Sequence, residues 1–402
     1  YKLYAGGTYT WAFTSETYIE QSGEIDLREL KETGTRTVTI SLKEKPKADA
    51  EGVYHLKSAG ELAWFAAQVN AGKLSDAKVE LANDIDLGGR NWTPIGRNYS
   101  YSFKGTFDGK GFTVSGLKIE TSASGDYGLF GYVDGATIKN LTVEGEIKSS
   151  YSSNYSSNGI GGIVGQFYGT TGLIENCVNK VTINGGQNAG GIAGYVTGGY
   201  GVAEKAIRNC VNLADITTGS SNAAGIAGYL NGPVTVENCY NRGNLNAGGW
   251  RAGGITAYLN SSNASVKNCY STGTTAASGD ANAVVGKLSS GTVENCFYLG
   301  TAGTDANATA KSETELKAAA GLLGRAFVAD GKGLNDGFPL LKFQIPTFAV
   351  TFTLSETAKV SILSGETVIA QESGAECTAE LPEGTYRYRV EKFGKKTLEA
   401  EF

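Results

Sequence analysis

Short apolar stretches bounded by glycine recur along the middle of the chain. Six copies align on one apolar residue, and successive copies lie 34, 29, 34, 29 and 29 residues apart. A second signature follows each copy: an apolar residue, a variable residue, Asn, and then Cys or Leu, at residues 138–141, 174–177, 207–210, 236–239, 266–269 and 293–296. Short β-branched stretches between turn residues predict strands. The aligned residues are Leu129, Ile163, Ile192, Ile226, Ile255 and Val284.

The repeat length selects the architecture. One repeat of this size cannot bury its own apolar face, whereas stacked copies bury a continuous core. Propeller blades need about forty residues and four strands each, which is more than these repeats supply. The sequence therefore predicts an all-β protein whose main part is a right-handed parallel β-helix, a solenoid.

The two-part repeat resembles the GLUG-motif repeats of bacterial surface proteins, including the N-terminal regions of IgA-specific metallopeptidases. The resemblance covers residues 127–300 and extends upstream to residues 103–119. It implies a parallel β-helix and an extracellular location, either on the cell surface or secreted. It does not imply catalytic residues on the repeats.

Helices are expected to close both ends of the β-helix, which we place at residues 47–346. Ser58 and Glu61 form a capping-box pattern, as do Ser312 and Glu315, and such a pattern marks a helix start. Apolar residues at helical spacing follow each pattern. We therefore expect capping helices near residues 58–71 and 312–328 that shield the end coils.

The flanking segments have a different pattern. Residues 347–402 alternate apolar and polar positions, which predicts a small antiparallel, Ig-like β-sandwich. A Gly-Thr-Tyr segment occurs both at Gly7 and at Gly384. We interpret residues 1–46 as part of a second sandwich module, so that the chain is a segment of a longer array. Gly-Thr-Tyr can also be a common hairpin signal without that meaning.

Composition narrows the classes of partner. The 57 glycines and 6 prolines fit many tight turns between short strands. A net charge of −5, with 19% charged residues, gives no reason to expect nucleic acid as a partner. No run of 18 apolar residues occurs, so we expect no membrane insertion by this segment. We expect a monomeric segment of a multidomain chain, with no cofactor.

The residues for catalysis are sparse. The chain has one histidine, His55, and lacks HExxH; the metallopeptidase activity of the resembling family is therefore not expected in this segment. We predict that the chain is not an enzyme and binds no metal. Acidic residues of the early coils could still serve carboxylate chemistry or hold calcium, although Asp commonly caps turns. These residues are Asp84, Asp86, Asp108, Asp126 and Asp134.

Two regular ladders allow a structural and a functional interpretation. The five cysteines of the repeat lack CxxC pairs, so we predict buried free thiols rather than a metal or redox site. The repeated asparagines could bind a ligand, but we predict that their amides bond from coil to coil.

Tyrosine-rich loops interrupt the repeat at residues 98–102 and 149–158. This Tyr, Ser and Asn composition is typical of adaptable recognition surfaces, although it also fits solvated loops with incidental tyrosines. The candidate ligand-binding residues are Tyr99, Tyr101, Tyr151, Tyr155, Tyr168, Tyr200 and Trp250.

The sequence thus predicts a non-catalytic extracellular surface module, an adhesin or stalk that displays binding loops. The expected partner is a host or environmental glycan, giving a carbohydrate-binding module, or a surface protein. One alternative is a polysaccharide-processing lyase or glycosidase. Another is a docking domain of a surface protease whose catalytic domain lies elsewhere.

Overall fold

A computed structural model describes residues 3, 7–19, 21–29, 37, 39, 41–151, 158–198, 204–219 and 221–402. The protein is 53% strand and 7% helix. Its chain forms two compact units, Tyr1–Ala326 and Phe327–Phe402. The module boundaries placed at residues 46 and 346 remain predictions.

An antiparallel hairpin opens the first unit. Strand β1 (Thr8–Phe13) pairs with β2 (Gln21–Asp26), with Tyr9 opposite Ile25. The chain then returns, and Glu44 forms an antiparallel bridge with Tyr18.

Parallel strands build a β-solenoid of about eight turns, which confirms the predicted fold class. One continuous sheet of 23 strands winds through the coils, and a separate sheet of five strands contains β10, β13, β18, β23 and β27. The strands are β3 (Val53–Leu56), β4 (Lys78–Leu81), β5 (Ile85–Asp86), β6 (Thr106–Asp108), β7 (Thr113–Thr121), β8 (Phe130–Asp134), β9 (Thr137–Ser149), β10 (Ile160–Gly161), β11 (Val164–Tyr168), β12 (Thr171–Gly185), β13 (Ala189–Gly190), β14 (Ala193–Thr197), β15 (Glu204–Arg208), β16 (Val211–Asn212), β17 (Ile216–Thr218), β18 (Asn222–Ala224), β19 (Ala227–Asn231), β20 (Val234–Glu237), β21 (Tyr240–Asn241), β22 (Leu245–Ala247), β23 (Arg251–Gly253), β24 (Thr256–Lys267), β25 (Tyr270–Ser271), β26 (Thr275–Ala277), β27 (Asp280–Asn282), β28 (Val285–Glu294), β29 (Phe297–Leu299) and β30 (Thr309–Lys311).

The core runs along the solenoid axis. All six residues on which the repeats align are fully buried. Equivalent strands pair in register, as Val164 does with Ala193 in the next coil. Each fully buried aliphatic side chain of this kind contributes about 1.5–3 kcal/mol, so repetition of the pattern supplies most of the apolar stabilisation.

Helix α1 (Ala59–Asn70) lies where the first capping helix was predicted. The Ser58 side chain accepts a hydrogen bond from the backbone N–H of Glu61, and Glu61 in turn accepts one from the N–H of Lys57. Its apolar face is buried through Leu62, Phe65, Ala66 and Val69. A 3₁₀ turn, Tyr99–Tyr101, interrupts the early coils.

The second capping segment differs from the single helix predicted over 312–328. It forms two short helices, α2 (Glu313–Lys317) and α3 (Ala320–Leu323), and α2 begins at the predicted capping box of Ser312 and Glu315. The N–H of Ala318 still makes a helical bond to the carbonyl of Thr314, whereas the N–H of Ala319 bonds only three residues back, to Leu316, and the α-helix ends there. Both apolar anchors, Leu316 and Leu323, are nevertheless fully buried.

The second unit is antiparallel. Strands β31 (Phe327–Val328) and β32 (Leu340–Leu341) form a small pair, and a 3₁₀ turn follows at Lys342–Gln344. Four further strands form one sheet in the order β34–β33–β35–β36. Their bounds are β33 (Thr347–Ser364), β34 (Thr367–Pro382), β35 (Arg387–Glu391) and β36 (Leu398–Glu401).

Bending of this sheet replaces the two separate sheets expected for a sandwich. Phe352 lies 5.3 Å from Tyr388 and 5.4 Å from Phe402, measured between ring centroids. Tyr388 pairs with Ile362, and on a straight strand Ile362 and Phe352 would lie roughly 30 Å apart. The long β33–β34 hairpin therefore folds over, at the irregularity between Thr353 and Ala358, and makes two layers from one sheet.

The two Gly-Thr-Tyr segments have the same local structure. A Cβ at Gly7 would lie 3.1 Å from the Tyr9 ring, and one at Gly384 would lie 3.2 Å from the Tyr386 ring. Tyr386 exchanges backbone hydrogen bonds with Phe402, just as Tyr9 is paired with Ile25. The sequence match therefore extends to ring packing and strand register.

Candidate ligand-binding face

One outward position of the solenoid is occupied mostly by tyrosine. It lies on β8, β11, β14, β19, β24 and β28, and the residue after it on each strand belongs to the core or packs against it. The residues at this position stack in register: Tyr132, Gln166, Tyr195, Tyr229, Tyr258 and Lys287. We call the outer side of these strands the tyrosine face.

In the middle of the tyrosine face, the tyrosine rings of neighbouring coils contact one another. The Tyr229 ring lies 5.1 Å from Tyr195 and 4.7 Å from Tyr258, the latter pair being stacked. Asn231 donates to the Tyr195 hydroxyl at 2.9 Å, and Asn260 donates to the Tyr229 hydroxyl at 3.0 Å. The ring faces are thus used within the ladder. Tyr229 and Tyr258 are half-buried and can present ring edges and hydroxyls to a ligand. The row also contains members that are at most 8% exposed: Tyr132, Gln166 and Tyr195.

An aromatic cluster marks one end of this face. Tyr99 packs edge-on against Tyr132 at 6.0 Å and against Tyr168 at 5.7 Å. Asn98 caps the 3₁₀ turn that carries Tyr99, accepting a hydrogen bond from the N–H of Tyr101. Tyr99 is 63% exposed, so its ring is available to a ligand. Tyr132 is buried, which raises the pKa of its hydroxyl, and its ring packs against Tyr99 from the inside of the cluster.

A buried lysine holds the strands beneath this cluster. The Lys205 ammonium donates to the carbonyls of Gly169, at 3.0 Å, and Thr197, at 2.8 Å. Gly169 directly follows β11, and Thr197 is the last residue of β14. Lys205 therefore links two neighbouring coils. Burial lowers the pKa of Lys205 to about 8.

A groove of about 410 Å³ marks the other end of the face. The Arg251 guanidinium lies 4.1 Å from the centroid of the Tyr258 ring and 5.5 Å from that of Trp250. Asp280 lies 3.7 Å from Arg251 and 3.8 Å from Lys287. Trp250 is 44% exposed, so the groove combines an exposed indole with Arg251 and Asp280, and Lys287 lies next to Asp280.

The structure brings only some of the predicted site residues together. Tyr99 and Tyr168 are in contact. Trp250 precedes β23 of the five-stranded sheet and is joined to the tyrosine row through Arg251, which contacts both Trp250 and Tyr258. Tyr101 instead packs against Arg97, at 4.4 Å. Tyr151 is half-buried after β9 and makes no ring contact with this cluster among the described residues. Tyr155 and Tyr200 lie outside the described residues.

Sequence reasoning missed the ladder tyrosines, Arg251 and Asp280. The tyrosine of each Gly-Tyr-Val or Gly-Tyr-Leu segment precedes a core residue, and side chains alternate along a strand. That alternation could have predicted a row of tyrosines on the outer side of these strands. Arg251 pairs with Asp280 in the next coil, a relation that becomes visible only when the coils are aligned.

The Asn and Cys ladders are structural, as predicted. Asn176 donates to Asn140 at 3.0 Å and accepts from Asn209 at 3.2 Å. All six cysteines are free and buried, and burial raises the pKa of the Cys177 thiol.

Four of the five early-coil aspartates accept backbone hydrogen bonds, from their own turn or from the next coil, and the fifth, Asp134, pairs with Lys104 at 3.5 Å. Asp84 accepts from the N–H of Thr113, Asp86 from that of Gly88, and Asp108 from that of Lys110. Asp126 accepts from the N–H of Gly159, and burial raises the pKa of Asp126 to about 7. In the part of the chain that the structure describes, no group of three His, Cys, Asp or Glu side chains is placed to hold a metal ion.

His55 contacts two acidic residues at the start of the solenoid. Its Nε2 lies 2.7 Å from Asp49, and its Nδ1 lies 3.8 Å from Glu80.

None of the helices within the described ranges is long and apolar enough to cross a bilayer.

The fold is similar to that of a known crystal structure. No protein-family model matches the chain. The solenoid is similar to a crystal structure of a Bacteroides ovatus protein provisionally identified as an immunoglobulin A1 protease, with a TM-score of 0.57 and 22% identity over 74% of this chain and 94% of that chain. At that identity, the likeness concerns the fold.

A sequence relative is also recognisable. A segment of 111 residues, 27% of this chain, is 35% identical to halomucin of Haloquadratum walsbyi. The matched segment spans 1% of the length of halomucin.

Proposed function

We propose that this chain is a non-catalytic surface module of a longer extracellular protein, and that it binds a glycan through the tyrosine face. One observation carries the proposal: a row of tyrosines with an exposed aromatic ring at each end. The resemblance to GLUG-motif repeats supports a bacterial adhesin or stalk, and the similarity to halomucin supports a place in a long chain.

The solenoid suits a stalk that displays a ligand site. Adjacent coils bond through backbone and side chains at a spacing of about 4.8 Å. Such stacking holds the aromatic ends of the face at a fixed separation. A rigid site loses little conformational entropy on binding, which favours an extended ligand lying along the axis.

The chemistry of the face favours a glycan over a protein ligand. Phenol hydroxyls and Asn amides form a regular polar row, which matches the repeating hydroxyls of a polysaccharide. The rings of Tyr99 and Trp250 are exposed and can pack on the apolar faces of sugar rings, since aromatic side chains combine an apolar body with polar edges.

Binding to a panel of polysaccharides tests this proposal. The full chain is expected to be retarded in affinity electrophoresis by at least one polymer. Changing Tyr99→Ala together with Trp250→Ala should weaken that retardation at least tenfold, because both exposed rings are lost. Tyr101→Ala, which lies outside the cluster, serves as the control. Binding to surface proteins with no polysaccharide bound would reject the glycan proposal.

Two alternatives have a specific observation behind them. Arg251, Asp280 and Lys287 come from neighbouring coils, so a polysaccharide lyase or glycosidase remains a candidate; uronate polymers incubated with the chain without new reducing ends or unsaturated products would reject it. The likeness to the Bacteroides ovatus structure keeps a protease-docking domain as a candidate, for which an HExxH motif elsewhere in the parent chain is the check.

A further inference from the structure

We propose that the groove at Trp250 is a subsite for the carboxylate of an acidic sugar. This inference rests on the proposed function, because it concerns the end of the same glycan-binding face. Two neighbouring coils build the subsite. Arg251 pairs with Asp280, and Tyr258 pairs with Lys287, in adjacent parallel strands. The two cations therefore come from neighbouring coils, and both approach Asp280.

The charges in the groove leave one positive charge unmatched. Asp280 lies within 4 Å of both Arg251 and Lys287, and one carboxylate cannot neutralise two cations. The Arg251 side chain is only 16% exposed. An excess positive charge partly withdrawn from water attracts an anion more strongly than an exposed one.

A donor atom in the groove also lacks an acceptor. The Nε of Arg251 is buried and has no hydrogen-bond partner among the described residues. The Nε lies 3.7 Å from Asp280, too far for a hydrogen bond. A buried donor without a partner destabilises the folded state, so the guanidinium of Arg251 is not fully hydrogen-bonded within the protein. Guanidinium groups hold carboxylates through two parallel hydrogen bonds, a geometry that a sugar carboxylate can adopt.

The position of Arg251 is set before a ligand arrives. Its guanidinium lies against the Tyr258 ring at 4.1 Å, and that ring is stacked in turn on Tyr229. Cation–π attraction of this kind favours that position of the guanidinium. The arginine thus loses little freedom when it binds an anion.

The remaining lining selects a sugar ring over a simple anion. The exposed Trp250 indole can cover the apolar face of a pyranose, while Asp280, whose side chain is half-exposed, can accept hydrogen bonds from ring hydroxyls. The groove volume of about 410 Å³ lies in the range of small-molecule sites. A carboxylated sugar of the uronate type satisfies all three groups.

Paired polymers test the subsite on the full chain. Alginate, polygalacturonate and hyaluronan would each be compared with its carboxyl-reduced form by biolayer interferometry at low salt. At least one acidic polymer is expected to bind at least tenfold more tightly than its reduced form, and added salt should lessen the difference. Equal affinity within every pair overturns the subsite but leaves the glycan proposal intact. Binding of no polysaccharide, acidic or neutral, counts against the proposed function itself.

Variants assign the preference to the groove. Arg251→Gln should reduce the acidic preference to within about twofold of unity, and Lys287→Gln, at an exposed position, should reduce it in part. Arg208→Gln is the matched control, because Arg208 also pairs with an acid of the adjacent coil, Glu175 at 2.6 Å. Circular dichroism verifies that each variant is folded. An acidic preference that survives both groove variants overturns the assignment.

Discussion

The asparagine in the second signature of each repeat adopts a left-handed backbone conformation. Its φ is between 50° and 53° at Asn140, Asn176, Asn209, Asn238, Asn268 and Asn295. Asparagine tolerates this region better than most residues. Amide hydrogen bonds also join Asn140 to Asn176, Asn176 to Asn209, and Asn268 to Asn295 in neighbouring coils. One residue type thus satisfies a turn and a ladder at the same position.

Substitution of Asn176 separates these two contributions. Asn176→Ala should lower the free energy of unfolding by about 3 kcal/mol, because two amide hydrogen bonds and the tolerance of positive φ are both lost. Asn176→Gly keeps the backbone conformation and should cost about 1–2 kcal/mol. Urea unfolding measures both values. An alanine variant as stable as the glycine variant would show that the backbone conformation carries no cost.

Asp126 should make stability depend on pH. Its folded pKa of about 7 lies above the usual value of 3.8, so the folded state binds the proton more tightly. Stability is therefore gained by protonation and decreases as pH rises from about 4 to about 7. Asp126→Asn keeps the oxygen that accepts from Gly159 and removes the charge.

We expect Asp126→Asn to exceed the unmodified protein at pH 8 by about 1 kcal/mol or more, the equivalent of one pKa unit, and to match it near pH 4. Guanidinium unfolding at the two pH values gives this difference directly. A variant less stable at pH 8 would mean that the buried carboxylate is stabilised by its surroundings.

At the scale of elements, the five-stranded sheet packs against a second, inner asparagine ladder. Asn179 donates to Asn212, and Asn212 to Asn241, each at 2.7 Å. All three are fully buried. Glycines face them, since a Cβ at Gly191 would lie 2.5 Å from the Asn212 oxygen. The Gly-Gly pairs of the repeat thus make room for a buried polar ladder.

Gly225 gives a test of this packing. A Cβ there would lie 2.2 Å from the Gly254 carbonyl and 2.4 Å from the Asn241 amide carbon. Gly225→Ala should destabilise the solenoid by about 2 kcal/mol, as expected for overpacking. Gly219→Ala is the control, because none of the described residues lies within 4 Å of its Cβ position, and it should change stability by less than about 0.5 kcal/mol. Thermal unfolding compares them, and equal shifts would argue against close packing at Gly225.

The repeat made the elements predictable where one physical rule decides them. Alternating burial and turn residues predicted the strands, and the Ser312–Glu315 capping box predicted the start of α2. The break after α2 depends on how the chain meets the last coil. The composition of the candidate site was harder to predict, because the residues next to Trp250 belong to the next coil and are distant from it in sequence. Loop composition could not separate the exposed Tyr99 from Tyr101, whose ring packs against Arg97.

At the scale of the molecule, each coil contributes its own contacts and those to its neighbours. Deleting residues 163–191 removes one period and joins Gly162 to Ile192, a junction that repeats the native Gly191–Ile192 step. We expect this variant to fold with native-like far-UV circular dichroism, whereas deleting 163–184 breaks the register and should abolish cooperative unfolding. A whole-period deletion that does not fold would contradict near-neighbour stacking.

In-register stacking lets the protein change length in whole steps. A duplication or loss of about 29 residues adds or removes one coil, about 4.8 Å in height. The remaining coils keep the same core packing. In the deletion described above, Tyr132 would come to lie beside Tyr195, and the tyrosine row would lose its single glutamine. Ordinary unequal recombination can therefore adjust the length of the tyrosine face while leaving the groove at Trp250 untouched.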